Sequence, residues 1–233
     1  VADDFTKFPR TPHLLWLNAG PLRNDKLMDA VEAERLLRQP LAVEEKIDGA
    51  NLGLSLGPDG RVRAQSRGNY ITTGTGGQWQ PLWRWLARRD QGLRTGLAGL
   101  IAFGEWCFAR HTVHYDALPD WFVLFDIYER GAGRFWSRER RDLWAREHDI
   151  HVAPLLGSGR YTRKGLERFL SMSSSFGSER VEGVYLRWDE GDWLVARAKI
   201  VRAGWVMADD EHWSARPLQT NQIAGAVEAA HRE

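Results

Sequence analysis

The segment LAVEEKIDGANLGLSL, residues 41–56, alternates apolar and polar residues on both sides of Lys46-Ile47-Asp48-Gly49. Period-two alternation is the mark of a half-buried strand. The segment therefore predicts two strands broken by a tight turn, with Lys46 at the break between the carboxylates of Glu45 and Asp48. The choice of lysine is informative. Lysine and arginine together number 32, yet lysine occurs only at Lys7, Lys26, Lys46, Lys164 and Lys199. Arginine cannot lose its proton under ordinary conditions and lysine can, so positions that stay lysine are candidates for an amine that titrates.

Outward from this segment the chain reads as a mixture of strands and helices. Residues 50–56, the turn GPDG and the run 61–66 form a hairpin signature. Residues 78–89 look helical and are followed by candidate strands at 100–108 and 121–129. A first helix is expected over Asp25 to Leu37, with Leu27, Met28, Val31 and Leu36 as its apolar stripe and Pro40 ending it. Two more helices are expected after the candidate caps Ser137 and Thr162. A second hairpin, EGVYLRW and WLVARAKIV around DEGD, closes the pattern. Strands and helices alternate without a β-α-β rhythm, which predicts an α+β fold with mainly antiparallel sheets flanked by helices. With no repeat or linker, residues 1–233 read as one domain with a polar tail from about Ala203.

Composition narrows the function classes. A chain of 233 residues with 43% hydrophobic content can bury a substantial core. No apolar run approaches the ~20 residues of a spanning helix, and the first residues are too polar for a secretory signal, so no membrane role is expected. Cys107 is the single cysteine. It excludes an internal disulfide and a cysteine-based zinc site, and it fits a reducing, cytoplasmic setting. His111 and His114 lack further ligands at zinc spacing. The net charge is +1, so a nucleic acid would have to be met by a local basic face. Arg84, Arg88 and Arg89, opposite Trp79, Trp83 and Leu86 on the second helix, form such a face or simply a solvated one.

A two-residue turn at Glu190-Gly191 would set Glu182 opposite Lys199 and Val184 opposite Arg197. Glu182, Arg197 and Lys199 would then converge at one end of a strand face. In AFGEWCF, Glu105 sits in so apolar a strand that it needs a cation, a metal or a hydroxyl to offset its burial. Phe125 sits beside Asp126 in the same manner. If Lys46 is a nucleophile, a free amine of pKa about 10.4 held neutral near pH 7 costs roughly 4 kcal/mol. Desolvation and nearby cations favour that state, and adjacent carboxylates oppose it. Attack on a nucleotide α-phosphate would form a lysine–nucleotide phosphoramidate and expel pyrophosphate, a step that calls for charge stabilisation by cations and a metal.

EKIDGAN, SRGNYI, FGEW, FVLFDIY, EGVYLR and ARAKIV resemble, in order, motifs I, Ia, III, IIIa, IV and V of the covalent nucleotidyltransferases, the superfamily of polynucleotide ligases and RNA capping enzymes. With FPRTPHLLWL upstream, Asn51, and ARHTVHYDAL after the third motif, the chain looks most similar to the ATP-dependent RNA ligases of the RNA ligase 2 type. The resemblance implies a nucleotidyltransferase (adenylation) domain using ATP and Mg2+ or Mn2+. Such an enzyme seals 3′-OH and 5′-phosphate ends through lysyl-AMP, at nicks in RNA or an RNA-containing duplex.

It also implies roles for individual residues. Lys46 accepts AMP, Asp48 and Gly49 complete its loop, and Glu45 lies near the adenine edge. Arg67 meets the ribose or the substrate 5′-phosphate, and Asn51 assists sealing. Glu105 binds the ribose hydroxyl and, with Glu182, helps hold the metal. Phe125 stacks on adenine, while Arg197 and Lys199 face the α-phosphate. Arg197 departs from the usual Lys-x-Lys. After Lys199 only 34 residues remain (233 − 199), too few for an OB domain. An end-processing partner protein, a minimal DNA ligase, and a nucleotide-binding subunit that needs a partner for sealing are the readings this departure keeps open.

Overall fold

A computed structural model describes residues 5–19, 22, 26–204 and 217–225. The opening segment forms two strands, β2 (Leu41–Lys46) and β3 (Ala50–Leu56). Residues 47–49 between them are where the chain leaves one sheet for another. β2 lies in a five-stranded sheet with β1 (His13–Leu15), β10 (Leu155–Gly159), β11 (Gly183–Glu190) and β12 (Trp193–Val201), in the order β1-β12-β11-β2-β10. β3 lies in a second sheet with β4 (Val62–Gln65), β5 (Tyr70–Ile71), β6 (Leu100–Trp106), β7 (Phe122–Glu129) and β8 (Arg134–Phe135), in the order β5-β4-β3-β6-β7-β8. A short β9 (His151–Val152) runs parallel to β7 and β1 runs parallel to β12, while the other ladders are antiparallel. The expected α+β class is the observed one.

Each sheet carries a hydrophobic core on its outer face. Beneath the first, Leu41, Val43, Val184, Leu186 and Ile200 pack on Leu36 of α1 (Ala30–Leu37) and Leu166 of α4 (Arg163–Glu167). Beneath the second, Leu52, Leu54, Ala102 and Leu124 pack on Leu82, Trp85 and Leu93 of α2 (Leu82–Gly96). Fully burying one such side chain contributes about 1.5–3 kcal/mol. The alternate residues of these strands consequently face the cleft between the sheets. α3 (Arg138–Glu147) packs against β7 and β9.

Three expectations are corrected. The first helix begins at Ala30 rather than Asp25, which lies outside the described residues, because Asp29 caps it by accepting from the Glu32 amide at 2.8 Å. The core side of this helix is Ala33 and Leu36, and Val31 is 80% exposed. The helix at Arg163 is a single short turn of α that tightens into a 3₁₀ turn, Arg168–Ser171. In the second hairpin Gly191 takes the left-handed conformation, φ +54°, so the loop is Gly191-Asp192 with Glu190 opposite Trp193. A bulge between Trp188 and Asp189 shifts the register again. Lys199 therefore pairs with Tyr185, and Glu182 precedes the strand.

Candidate active site

Six strands, three from each sheet, contribute to the mouth of the cleft. Lys46 ends β2 opposite Gly183, the first residue of β11, and Glu182 just before it reaches back to Lys46 Nζ at 2.5 Å. Tyr185 and Lys199, paired across β11 and β12, follow on the same face. From the other sheet come Asn51 on β3 and Glu105 on β6, direct partners in the ladder, and Phe125 on β7. Arg67 reaches in from the exposed loop between β4 and β5. The cavity so formed is lined by Phe8, Arg10, Thr11, Glu45, Lys46, Ile47, Asn51, Arg67, Glu105, Phe125, Tyr185 and Lys199. The Lys46 side chain is 23% exposed, enough to meet a ligand in the cavity.

The turn that carries Lys46 is locked from behind. The Asp48 carboxylate accepts from the Thr112 and Val113 amides at 2.7 and 2.8 Å, and the Asp48 amide donates to the Tyr115 hydroxyl at 2.8 Å. Gly49 is needed for close approach. A Cβ there would stand 3.0 Å from the Trp106 carbonyl and 3.1 Å from the Glu105 Cβ. Glu45 lies on the opposite strand face from Lys46 and lines the cavity wall. Its carboxylate accepts from Ser174 Oγ at 2.6 Å and the Ser175 amide at 2.8 Å. Burial pushes Glu45 above its usual range, and those two hydrogen bonds oppose the rise.

Charge is the dominant feature. Burial by itself would lower the pKa of Lys46, but Glu182, Glu105 and Asp48 outweigh it and hold the ammonium above its ordinary value. Burial pushes Glu105 up to about 8, with Lys46 opposing and Glu182 adding to the rise. Burial likewise raises Glu182 to about 7, opposed by Lys46. One ammonium is thus shared by carboxylates that cannot all ionise comfortably. In addition, Glu105 Oε2 and both amide atoms of Asn51 are buried without a hydrogen-bond partner among the described residues. Unsatisfied buried polar atoms cost about 1–3 kcal/mol each. Aimed at a cavity, they are the donors and acceptors of a binding site.

The sequence-predicted residues divide into three groups. Lys46, Glu45, Asn51, Arg67, Glu105, Phe125 and Lys199 line one cavity, and Glu182, Asp48 and Gly49 adjoin it. Arg197 stands apart. It shares a strand face with Lys199, yet its guanidinium pairs with Asp126 at 2.7 Å and lies over the Phe8 and Phe135 rings at 4.6 and 4.1 Å. An internal carboxylate, rather than the cavity, holds its charge. No cluster of three His, Cys, Asp or Glu side chains suited to a metal occurs among the described residues, and His111 meets Gln78 at 3.1 Å.

Sequence reasoning missed Phe8, Thr11 and Tyr185 in the cavity lining, and Arg141 and Arg187 behind it. Phe8 lay in a segment quoted only as a likeness. Tyr185 and Arg187 carried a period-two signal within EGVYLR, but an incorrect register hid it.

The RNA ligase family profile matches residues 39–201, well over half of the chain. Among curated protein sequences none matches. Among solved structures, an RNA ligase variant from Naegleria gruberi solved with ATP and Mn superposes with a TM-score of 0.60 at 18% identity, over 84% of this chain and 56% of that one. Another variant of that ligase, with AMP and Mn, gives 0.57 at 17% identity, over 84% and 56%. A putative ATP-dependent DNA ligase from Aquifex aeolicus gives 0.52 at 20% identity, over 84% and 50%. At such identities the likeness is one of fold, and the chain spans little more than half the length of the ligases it matches. The family profile runs from just before the Lys46 strand to the end of the Lys199 strand, the stretch that builds the cavity, and the chain belongs to the RNA ligase family.

Proposed function

We propose that the chain is the adenylylating part of an ATP-dependent RNA ligase, and that Lys46 carries AMP. The observation that supports this most is the setting of Lys46. It is a partly exposed amine between two strand ends, hydrogen-bonded to Glu182, at the edge of a cavity with an aromatic wall and two further cations, Arg67 and Lys199. In this reading Phe125 stacks on the adenine, and Asn51 and Glu105 find in the nucleotide and the sealing reaction the partners they lack in the protein.

A divalent cation fits the same residues. Glu105 and Glu182 are held toward neutrality by burial and by repulsion from neighbouring carboxylates, Glu182 and Asp48 for Glu105 and Asp48 for Glu182, the state that an added positive charge relieves. With too few protein ligands for a complete site, a hard cation would take its remaining oxygens from phosphates and water, as Mg2+ commonly does. Its chemical contribution is neutralisation of charge on the phosphates. The chain's own residues do the rest. Lys199 and Arg67 draw the phosphates toward Lys46. The neutral Lys46 amine bonds to the α-phosphorus as the bond to pyrophosphate breaks, and the proton left on the nitrogen goes to the departing pyrophosphate; the amine first becomes neutral by passing one proton to Glu182, already at 2.5 Å. That transfer is uphill at rest, because the three carboxylates favour the ammonium.

The test is intact-protein mass after incubation with ATP and Mg2+ or Mn2+. One AMP should be gained, and Lys46→Ala and Lys46→Arg should gain none. A protein that binds ATP but never gains mass would instead be a nucleotide-binding subunit. The Aquifex likeness supports a DNA ligase only at the level of fold. The sugar at the nick, considered below, separates those two readings.

A further inference from the structure

We infer that Arg141 and Arg187 are positioning residues that hold a bulge at Phe125, and through it set the ring on which the nucleotide stacks. The inference rests on the nucleotide reading above. In the β6–β7 ladder, Phe103 pairs with Asp126 and the next residue, Gly104, pairs with Leu124, so Phe125 is an extra residue with no partner across the strand. The consequence shows in the core. Leu124 and Ile127 both pack under α2 although they are three apart, where an unbroken strand would send them to opposite faces. The two residues between them, Phe125 and Asp126, are therefore both available to the cleft. Phe125 lines the cavity, and Asp126 meets the first sheet through Arg187, through Tyr185 Oη at 2.9 Å and through Arg197 at 2.7 Å.

Two guanidinium groups from different elements converge on the displaced carbonyl. Arg141 of α3 donates to Phe125 O at 2.6 Å, and Arg187 of β11 donates to it at 3.2 Å. Both side chains are fully buried. Arg141 is also bound to Glu44 at 2.5 and 3.1 Å and to Asp142, and Arg187 to Asp126 and to the Trp136 carbonyl at 2.7 Å. Charges buried so completely are costly unless they are paired and hydrogen-bonded, and each guanidinium has both a carboxylate and the Phe125 carbonyl. Here they hold a carbonyl that the bulge takes out of the β6–β7 register. The ring faces Phe8 at 5.1 Å and Tyr185 at 6.3 Å and packs on the apolar clusters that include Ile47, Val123 and Phe103. Which of these surfaces it meets is set by where the bulge places the backbone beneath it.

The experiment is a titration with an ATP analogue bridged by methylene between the α and β phosphorus, which cannot transfer AMP. Its subjects are the wild type, Arg141→Lys, Phe125→Leu, the double variant and Glu44→Gln. A lysine at 141 can pair with Glu44 but cannot also reach the carbonyl through a second arm. We expect Arg141→Lys to weaken binding about fivefold, the low end of a base-stacking contribution. The double variant should bind no worse than Phe125→Leu alone. Glu44→Gln, which leaves the donor on the carbonyl, should bind within about twofold of wild type. If Arg141→Lys does not fold cooperatively, Arg187→Lys takes its place in the same grid. Wild-type affinity in the lysine variants, or the same fold-loss with and without the Phe125 ring, would overturn the inference. A wild type that binds no nucleotide would overturn the reading beneath it, which is a different result.

Discussion

At Glu105 a single carboxyl group shows what the cavity asks of its residues. Its pKa is raised by burial above the ordinary carboxylate value of 4.5 to about 8, so between those values the folded protein holds a proton that the unfolded chain has released. Its contribution to stability is therefore fully present below the unfolded pKa, and it is lost as the pH rises through the folded one. Replacing Glu105 by Gln removes the titration and keeps the shape. In ligand-free protein, Glu105→Gln should melt at a temperature that falls less between pH 5 and pH 8 than that of the wild type, as measured by differential scanning calorimetry across that range. Parallel curves would mean that Glu105 has found a partner. The same substitution should depress formation of the Lys46 adduct, because an amide cannot supply charge to a cation. Lys46 was legible in the sequence through its rarity and its neighbours. The state of its amine was not, since three carboxylates from β6, the turn at 48 and the approach to β11 decide it jointly.

Among the elements, the β11–β12 hairpin carries the most consequence, because it brings Glu182 and Lys199 to Lys46 from one ladder. Gly183 begins it where two backbones nearly touch. A Cβ there would lie 2.2 Å from the Ile200 carbonyl oxygen and 3.0 Å from the Val201 Cα. Backbone cannot swing aside as a side chain does, so Gly183→Ala should force the two strands apart at this end. The expected cost is about 1–3 kcal/mol, the usual range for overpacking, measured by urea unfolding. It should come with loss of the Lys46 adduct as Glu182 moves away. By contrast Gly191→Ala at the other end meets open space and suffers only its positive φ, +54°. It should cost about 1–2 kcal/mol and leave adduct formation intact. Equal loss of adduct in both variants would mean that the hairpin acts as a rigid whole. The strands themselves were readable from alternation. Their register was not, because a bulge at Trp188 and a turn one residue later than expected each move the pairing.

For the whole molecule, the proposed ligase reading turns on which nick would be sealed. A 2′-hydroxyl on the strand that supplies the attacking 3′-OH adds a hydrogen-bonding group and favours the A-form sugar. We expect a nick with RNA at its 3′-OH end to be sealed faster than an all-DNA nick, whatever sugar bears the 5′-phosphate. Sealing should also weaken steeply with salt, because the contacts available to phosphates are exposed arginines such as Arg67, Arg84 and Arg88. A nicked-duplex panel run at matched salt reads both effects, and equal rates on RNA and DNA would favour the DNA ligase reading. The sequence by itself determined the α+β class, the strands that carry Lys46, Glu105, Phe125 and Lys199, and the family likeness. Those features follow from local period and from residues fixed within short motifs. Only the tertiary structure decided that Arg197 serves Asp126 and that Phe8 and Tyr185 wall the cavity. It likewise decided that two buried arginines grip the backbone under Phe125. Each of these depends on which residues face one another across two sheets, and a shift of one residue in pairing sends a side chain to the opposite face.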